Sequence, residues 1–395
     1  MRWRGPWAFL AVGVLTAANV RAGTPMDAPL PEAKITEIEC EYALTEPDMV
    51  REFGLAGTKG TYHYKVYVPA DYTQDAKRRY PCLFIASPGG NAAMGNVGDR
   101  MQRDNWIAIM LVESKNGPFG PILGNFLAAH DDAVRRLRIQ EGMKYATGFS
   151  GGARAASVFV GLRPGFAGAV LQGAGFGGTY QSVRKYKTLS IYAIFGENDP
   201  NRDEIQELTN NLGAARFKYE VFPGGHAWAP PACMDRAFDW LQEQFLFNSG
   251  PIPPEIAARF FRARFAELDK AASPLDRYGT LLWLTNLALR QRLQGQADLK
   301  GPLAAVAADL KKVKQDPALK QEIPALEAFE KAKEKEAAAR AAAGRQKGRG
   351  DALKRALAVA AEGYKNVASR YPDTEYGKKG AEAAEQLKAG QEPSK

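Results

Sequence analysis

Histidine and cysteine are both scarce in this chain, with three of each among 395 residues. The cysteines, Cys40, Cys82 and Cys233, are too few for a disulfide-dense scaffold, and their spacing suggests no metal site. They permit one bridge with one thiol left over, and nothing fixes a pairing. Cys82 lies inside the apolar run YPCLFIAS and reads as a small buried hydrophobe. Beyond the N-terminus no stretch is long or apolar enough to span a membrane. Convincing strand patterns are missing after Phe247, which excludes a sheet from the last third of the chain.

What is present is unevenly placed. The formal charge is +9, of which residues 1–22 carry +3 and residues 251–395 carry +8, leaving −2 between them. The basic character therefore belongs to the C-terminal third. At the N-terminus, MRWRGPWAFLAVGVLTAANVRAG sets two arginines before an apolar run from Pro6 to Val20. Val20 and Ala22 supply small residues at −3 and −1 of a cut before Gly23. This is the pattern of a secretory signal over 1–22, so the mature protein is expected to be secreted or periplasmic, with no transmembrane span after cleavage. An uncleaved anchor is the competing reading, the run being slightly short of a bilayer span. Nucleic acid is not expected as the target of an exported chain.

From Ile35 to Phe222, apolar β-rich runs alternate with helix-like segments. The strand candidates are ITEIECEYAL, TYHYKVYVP, YPCLFIAS, NWIAIMLVES, KYATGF, AGAVLQGAG, LSIYAIFG and ARFKYEVFP. Apolar strands separated by helices such as GARAASVFVGL predict an α/β fold, a mostly parallel eight-stranded sheet covered on both faces. The first two runs lack a helix between them and predict an antiparallel edge. The helix CMDRAFDWLQEQFLF closes a domain spanning 23–248, and the proline-rich joint NSGPIPPE opens a helical region over 249–395. Within it, EAFEKAKEKEAAARAAAGRQKGRGD reads as a solvated helix followed by a flexible basic turn. Residues 351–390 read as a helical hairpin bent at Tyr371-Pro372-Asp373-Thr374. Leu357, Ala360, Tyr364, Val367 and Tyr371 give its first helix an apolar face. The hairpin resembles one tetratricopeptide unit, without the signature tryptophan and without further copies.

The chemistry-bearing stretch is YATGFSGGARAA, a serine with glycines at −2, +1 and +2 between a strand-like and a helix-like run. That context marks a sharp strand-to-helix turn presenting Ser150 as a nucleophile at a helix N-terminus. A serine hydroxyl needs a base. His63 falls inside an alternating strand. His130 sits mid-helix beside Asp131 and Asp132 and reads as lying on a solvated face. His226, in the loop FPGGHAWAPP after the last strand, is the base by exclusion and position. The carboxylate that holds its tautomer is expected in GENDPNRDE, with Asp199 preferred over Glu197 and Asp203. Two N–H donors are needed for the oxyanion. Gly151 supplies one, and the loop after the third strand supplies the other, at Gly90 or, failing that, Asn91.

Around these residues the chain resembles the α/β-hydrolase superfamily, and within it the secreted polyhydroxybutyrate-depolymerase and feruloyl or acetyl-xylan esterase-like group. YKVYVPADY, YPCLFIASPGGN, GFSGG at Ser150, GENDP at Asp199 and GGHAW at His226 carry the resemblance, over about residues 55–245. It implies an α/β-hydrolase sheet and a carboxylic-ester hydrolase working through an acyl-serine without a cofactor or metal. Two departures stand out: Ser87-Pro88-Gly89 replaces the usual histidine-glycine pair, and Ala153-Arg154 follows the elbow. Arg154 reads as a surface ion pair, or else as a contact to a substrate carboxylate.

Only 48 residues separate Ser150 from Asp199, too few for a large lid, so an open site suited to carbohydrate-linked or polymeric esters is expected. Trp228 is the expected substrate contact, with Phe176 and Tyr180 as further wall candidates. Two other functions compete. One is a serine peptidase on the same fold. The other is a non-catalytic scaffold whose basic helical tail binds a protein or an envelope component.

Overall fold

A computed structural model describes residues 30–43, 59–178, 189–212, 216–343 and 350–389. The expected signal segment, Tyr180 and the basic turn at 344–349 lie outside the described residues. The strands are β1 (Ile35–Ala43), β2 (Lys59–Tyr67), β3 (Tyr80–Ala86), β4 (Ile107–Leu111), β5 (Ile139–Phe149), β6 (Phe166–Gln172), β7 (Ser190–Gly196) and β8 (Phe217–Phe222). They form one sheet in the order β1-β2-β4-β3-β5-β6-β7-β8. β2 pairs antiparallel with β1 and β4, and every other pairing is parallel. This is the mostly parallel, eight-stranded sheet expected, antiparallel edge included.

The sequence dictates the layering. Every residue of β3, β4, β6 and β7 is buried, as strands covered on both faces must be. The helices flanking the sheet are α1 (Gly98–Arg103), α2 (Phe119–Arg136), α3 (Gly151–Leu162), α4 (Glu204–Leu212) and α5 (Pro231–Asn248). On one face Phe84, Phe126, Phe159 and Phe166 join α2 and α3 to the sheet, with Phe126 and Phe159 stacked at 3.9 Å. On the other, Trp106 packs between Tyr145 at 5.0 Å and Phe238 of α5 at 5.4 Å.

Six more helices follow: α6 (Pro254–Ala266), α7 (Pro274–Arg290), α8 (Lys300–Val313), α9 (Glu322–Ala343), α10 (Gly350–Arg370) and α11 (Glu375–Ala389). The second core continues straight into the first three, taking in Ile256, Phe261, Leu281, Leu284, Leu287 and Val306. Gln291 stitches the joint, its amide donating to Leu246 O at 2.6 Å and accepting from Ile252 N at 3.2 Å. The last three helices enclose a separate core of Ala332, Ala339, Leu357, Ala360, Ala361, Tyr364, Ala384 and Leu387. The hairpin bends where expected, and Thr374 caps α11 by accepting from Gly377 N at 2.9 Å. α9 is not wholly solvated: Ala325, Ala332 and Ala339, seven apart, are buried along one face. Among the described residues no helix is long and apolar enough to cross a membrane.

Two other expectations need correction. β5 starts at Ile139, five residues before the run KYATGF, which begins at Lys144. Gly142 at φ +79° breaks the pattern there, and the register slips between Lys144 and Tyr145. His130 is buried at 4% exposure instead of facing solvent. Its Nδ1 lies 2.7 Å from Asp131, its Nε2 lies 3.1 Å from Lys144 Nζ, and Arg163 donates to Asp131 at 3.0 Å. The aspartates that suggested a solvated face are partners of buried groups.

Candidate active site

Ser150 joins β5 to α3 with φ +51° and ψ −118°, a strained conformation for a residue with a side chain. Close packing holds it there. A Cβ on Gly148 would lie 2.8 Å from Ala86 O, and one on Gly152 2.5 Å from the same atom. Only glycine at these positions lets α3 start this close to β3 and β5. The Ser150 N–H donates to Gln172 O at 2.8 Å, and its carbonyl accepts the Ala153 N–H at 3.0 Å, so the turn is fixed on both sides.

The structure brings the three expected side chains together. His226 Nε2 is 3.0 Å from Ser150 Oγ, and His226 Nδ1 is 2.9 Å from Asp199 Oδ2 and 3.0 Å from Oδ1. The Asp199 side chain is fully buried and accepts a further hydrogen bond from Asn201 N at 2.8 Å. The alternatives Glu197 and Asp203 are exposed. All three groups leave the carboxyl ends of strands on one side of the sheet, β5, β7 and β8, with β6 between the first two. Phe149 underlies the ring of His226 at 4.6 Å and that of Trp228 at 5.4 Å. Trp228 is 39% exposed, next to the histidine. Phe176 packs partly buried against the core.

The loop carrying His226 is anchored by residues that reading the sequence did not single out. Buried Gln172, at the end of β6, accepts from Ala229 N at 3.1 Å and from Asn96 Nδ2 at 2.8 Å, while Asn96 also donates to Ala229 O at 2.7 Å. A polar residue ending an apolar strand beside the elbow is the one signal that points to Gln172. Arg154 forms a two-point ion pair with Glu204, which in turn accepts from Gly175 N at 2.5 Å. It is the surface ion pair expected.

The remaining histidines stand apart from the site. His63, on β2, lies between Glu113 at 2.8 Å and Glu39 at 3.4 Å, and the Glu113 hydrogen bond holds its pKa above the usual value. Buried His130 belongs to the lysine–aspartate cluster described above.

The two N–H groups expected to face the oxyanion differ in what they bond. The Gly151 N–H at the start of α3 has no partner among the described residues. Gly90, at φ +72°, spends its N–H on Ser87 O at 3.0 Å, and Asn91 spends its own on Val112 O at 2.7 Å. The reason is local: the loop closes a tight turn on itself at Ser87 and packs against Val112 and Lys115. Among the described residues no three His, Cys, Asp or Glu side chains converge as a metal site. The three cysteines are free and buried. The arrangement as a whole can carry a proton from a hydroxyl to an imidazole oriented by a buried carboxylate.

No protein-family model and no curated protein matches the chain. Solved structures with a similar chain path include a ferulic acid esterase, at 13% identity and a TM-score of 0.39, covering 53% of this chain and 99% of that one. An S-formylglutathione hydrolase from Staphylococcus aureus matches at 14% identity and a TM-score of 0.39, covering 54% and 99%. An IroE-like serine hydrolase from Shewanella oneidensis matches at 14% identity and a TM-score of 0.39, covering 69% and 98%.

Proposed function

We propose that this chain is an exported serine hydrolase that cleaves carboxylic esters through an acyl-serine intermediate. The observation that carries the proposal is the continuous hydrogen-bonded line from Asp199 through His226 to Ser150, at 2.9 and 3.0 Å. His226 Nε2 takes the Ser150 proton as Oγ attacks the ester carbonyl carbon, and the carbonyl π electrons move to oxygen. Asp199 keeps the Nδ1 proton on the ring and stabilises the imidazolium. When the tetrahedral species collapses, the alkoxide leaves with the proton from His226. Water then repeats the sequence on the acyl-serine and frees the acid.

The substrate is proposed to be a carbohydrate-linked or polymeric ester. His226, Ala227 and Trp228 are all exposed, and so are Lys115 to Pro118, whose Asn116 lies against Gly151 beside the serine. Such a rim admits an ester attached to a bulky body, and the exposed Trp228 ring offers a flat apolar face to it. Export rests on the charge and cleavage pattern of residues 1–22, and N-terminal sequencing of the mature protein from an exporting host checks it.

The test of the chemistry is labelling by a fluorophosphonate probe together with turnover of short-chain p-nitrophenyl esters. Wild type should label at Ser150 and turn over esters. Ser150→Ala should lose labelling and about 10⁶-fold in kcat, and Asp199→Asn about 10⁴-fold. A folded wild-type protein unlabelled at Ser150 refutes the proposal, and faster turnover of aminoacyl amides than of esters makes it a peptidase. A panel of feruloyl, acetyl and hydroxybutyrate esters then fixes the acyl group.

A further inference from the structure

A serine hydrolase of this geometry needs two hydrogen-bond donors for the oxyanion, and of the two N–H groups expected to supply them, Gly151 and Gly90, Gly151 alone is open among the described residues. From Ser87 to Ala92, every N–H of the loop that follows β3 is already spent. Ser87 N donates to Ser114 Oγ at 3.0 Å, and Gly89 N to Ser87 Oγ at 3.4 Å. Gly90 N donates to Ser87 O at 3.0 Å and Asn91 N to Val112 O at 2.7 Å. Pro88 has no N–H to give. The neighbouring loop after β4 instead presents a side chain. The carboxamide of Asn116 lies directly over Gly151, so that a Cβ built on Gly151 would overlap its Oδ1 and sit 3.0 Å from its Nδ2. The backbone of Asn116 is tied down, its N–H donating to Pro88 O at 2.9 Å, while the residue is exposed toward the rim.

From this juxtaposition we infer that the Asn116 side-chain amide is the second oxyanion donor, acting with the Gly151 N–H. The inference rests on the acyl-serine reading above. The carboxamide oxygen faces Gly151 in this rotamer. A half-turn about the Cβ–Cγ bond exchanges it for the NH2 group, at little cost for a side chain with a broad terminal torsion. The step it serves is the attack itself: as the Ser150 Oγ–carbon bond forms and the carbonyl π pair moves to oxygen, Nδ2–H and the Gly151 N–H receive that charge. It also accounts for glycine at 151, since any side chain there would evict the carboxamide.

The experiment compares Asn116→Ala, Asn116→Asp and Ser87→Ala with wild type and Ser150→Ala. Readouts are kcat and KM on p-nitrophenyl acetate, inhibition by a boronic acid, and thermal unfolding. Loss of one oxyanion donor lowers kcat by about 10²–10³-fold, so Asn116→Ala should fall by that much with KM within about twofold and weaker boronate binding. Asn116→Asp keeps the shape but cannot donate, and should be at least as slow at neutral pH with an unchanged melting temperature. A structural role would instead spare the aspartate variant, and that result overturns the inference. So does retention of wild-type kcat by Asn116→Ala, or transfer of the loss to Ser87→Ala, whose hydroxyl is the rival donor. If Asn116→Ala does not fold, the aspartate variant decides alone. Wild type labelled at Ser150 with unaffected Asn116 variants sinks this inference only, whereas an unlabelled wild type sinks the triad.

Discussion

Three side chains meet at Ser150 because their backbones are held by atoms that take no part in proton transfer. Gly148 and Gly152 leave room for α3 against Ala86, Asn201 fixes the Asp199 carboxylate, and Phe149 supports the imidazole. Away from the site, a second titratable cluster governs acid stability. Burial lowers the pKa of His130 against the opposing effect of the hydrogen bond its ring donates to Asp131. Burial would raise Asp131, but hydrogen bonds from His130 and Arg163 outweigh it and hold the carboxyl at about 2. Both folded-state values lie below their unfolded ones, so both groups stabilise at higher pH. The histidine contribution is present above about pH 6.5 and lost on acidification. The aspartate contribution is present above about pH 4 and lost toward pH 2. The melting temperature should therefore drop below about pH 6.5 and again below about pH 4. In His130→Gln the first drop should disappear, and thermal unfolding across pH 3–8 checks it.

At the scale of elements, the site is a set of loop ends on β5, β7 and β8, and the longest of these loops is secured from β6. Gln172→Leu would leave the Ala229 N–H without its acceptor and free Asn96 from the strand. A buried donor left unpaired costs about 1–3 kcal/mol. The variant should lose that much stability by urea unfolding and lose kcat more than KM, because the loop that aims His226 has loosened. The sheet, and the three side chains that the fold brings together at Ser150, were legible in the sequence for simple reasons. Strands buried on both faces are unbroken apolar runs, and with three histidines exclusion leaves one to stand beside the serine. Gln172, Asn96 and Asn116 were not legible. Each acts through a partner remote in sequence, and a single polar residue in a loop or strand end has no period to betray it. His130 misled for the same reason, because nothing local shows that Lys144 and Arg163 come to meet it and its aspartate.

At the scale of the molecule, the second core disregards the proline-rich joint and runs on through α8. Removing everything after Gly250 strips Ile256, Phe261, Leu281, Leu284 and Leu287 from it. At roughly 1.5–3 kcal/mol for each buried side chain, that loss equals the whole stability of an ordinary domain, about 5–15 kcal/mol. A chain ending at residue 250 should therefore aggregate. One ending at Lys320 loses only the alanine-rich third core and should keep whatever ester turnover the full chain has and melt within a few degrees of it. Expressing both and recording solubility, activity and melting temperature checks where the folding unit around the sheet ends. If the shorter chain folds and the longer one does not, the boundary has been misread.

The cysteines carry a consequence of their own. Burial pushes the Cys40 thiol up to about 12 and that of Cys233 up to about 11, and Cys82 is raised as well. None offers a thiolate at neutral pH, and none is bridged. The fold thus draws nothing from the redox state of its surroundings. It is indifferent to reductant and slow to react with oxidants or alkylating agents, on whichever side of a membrane it works.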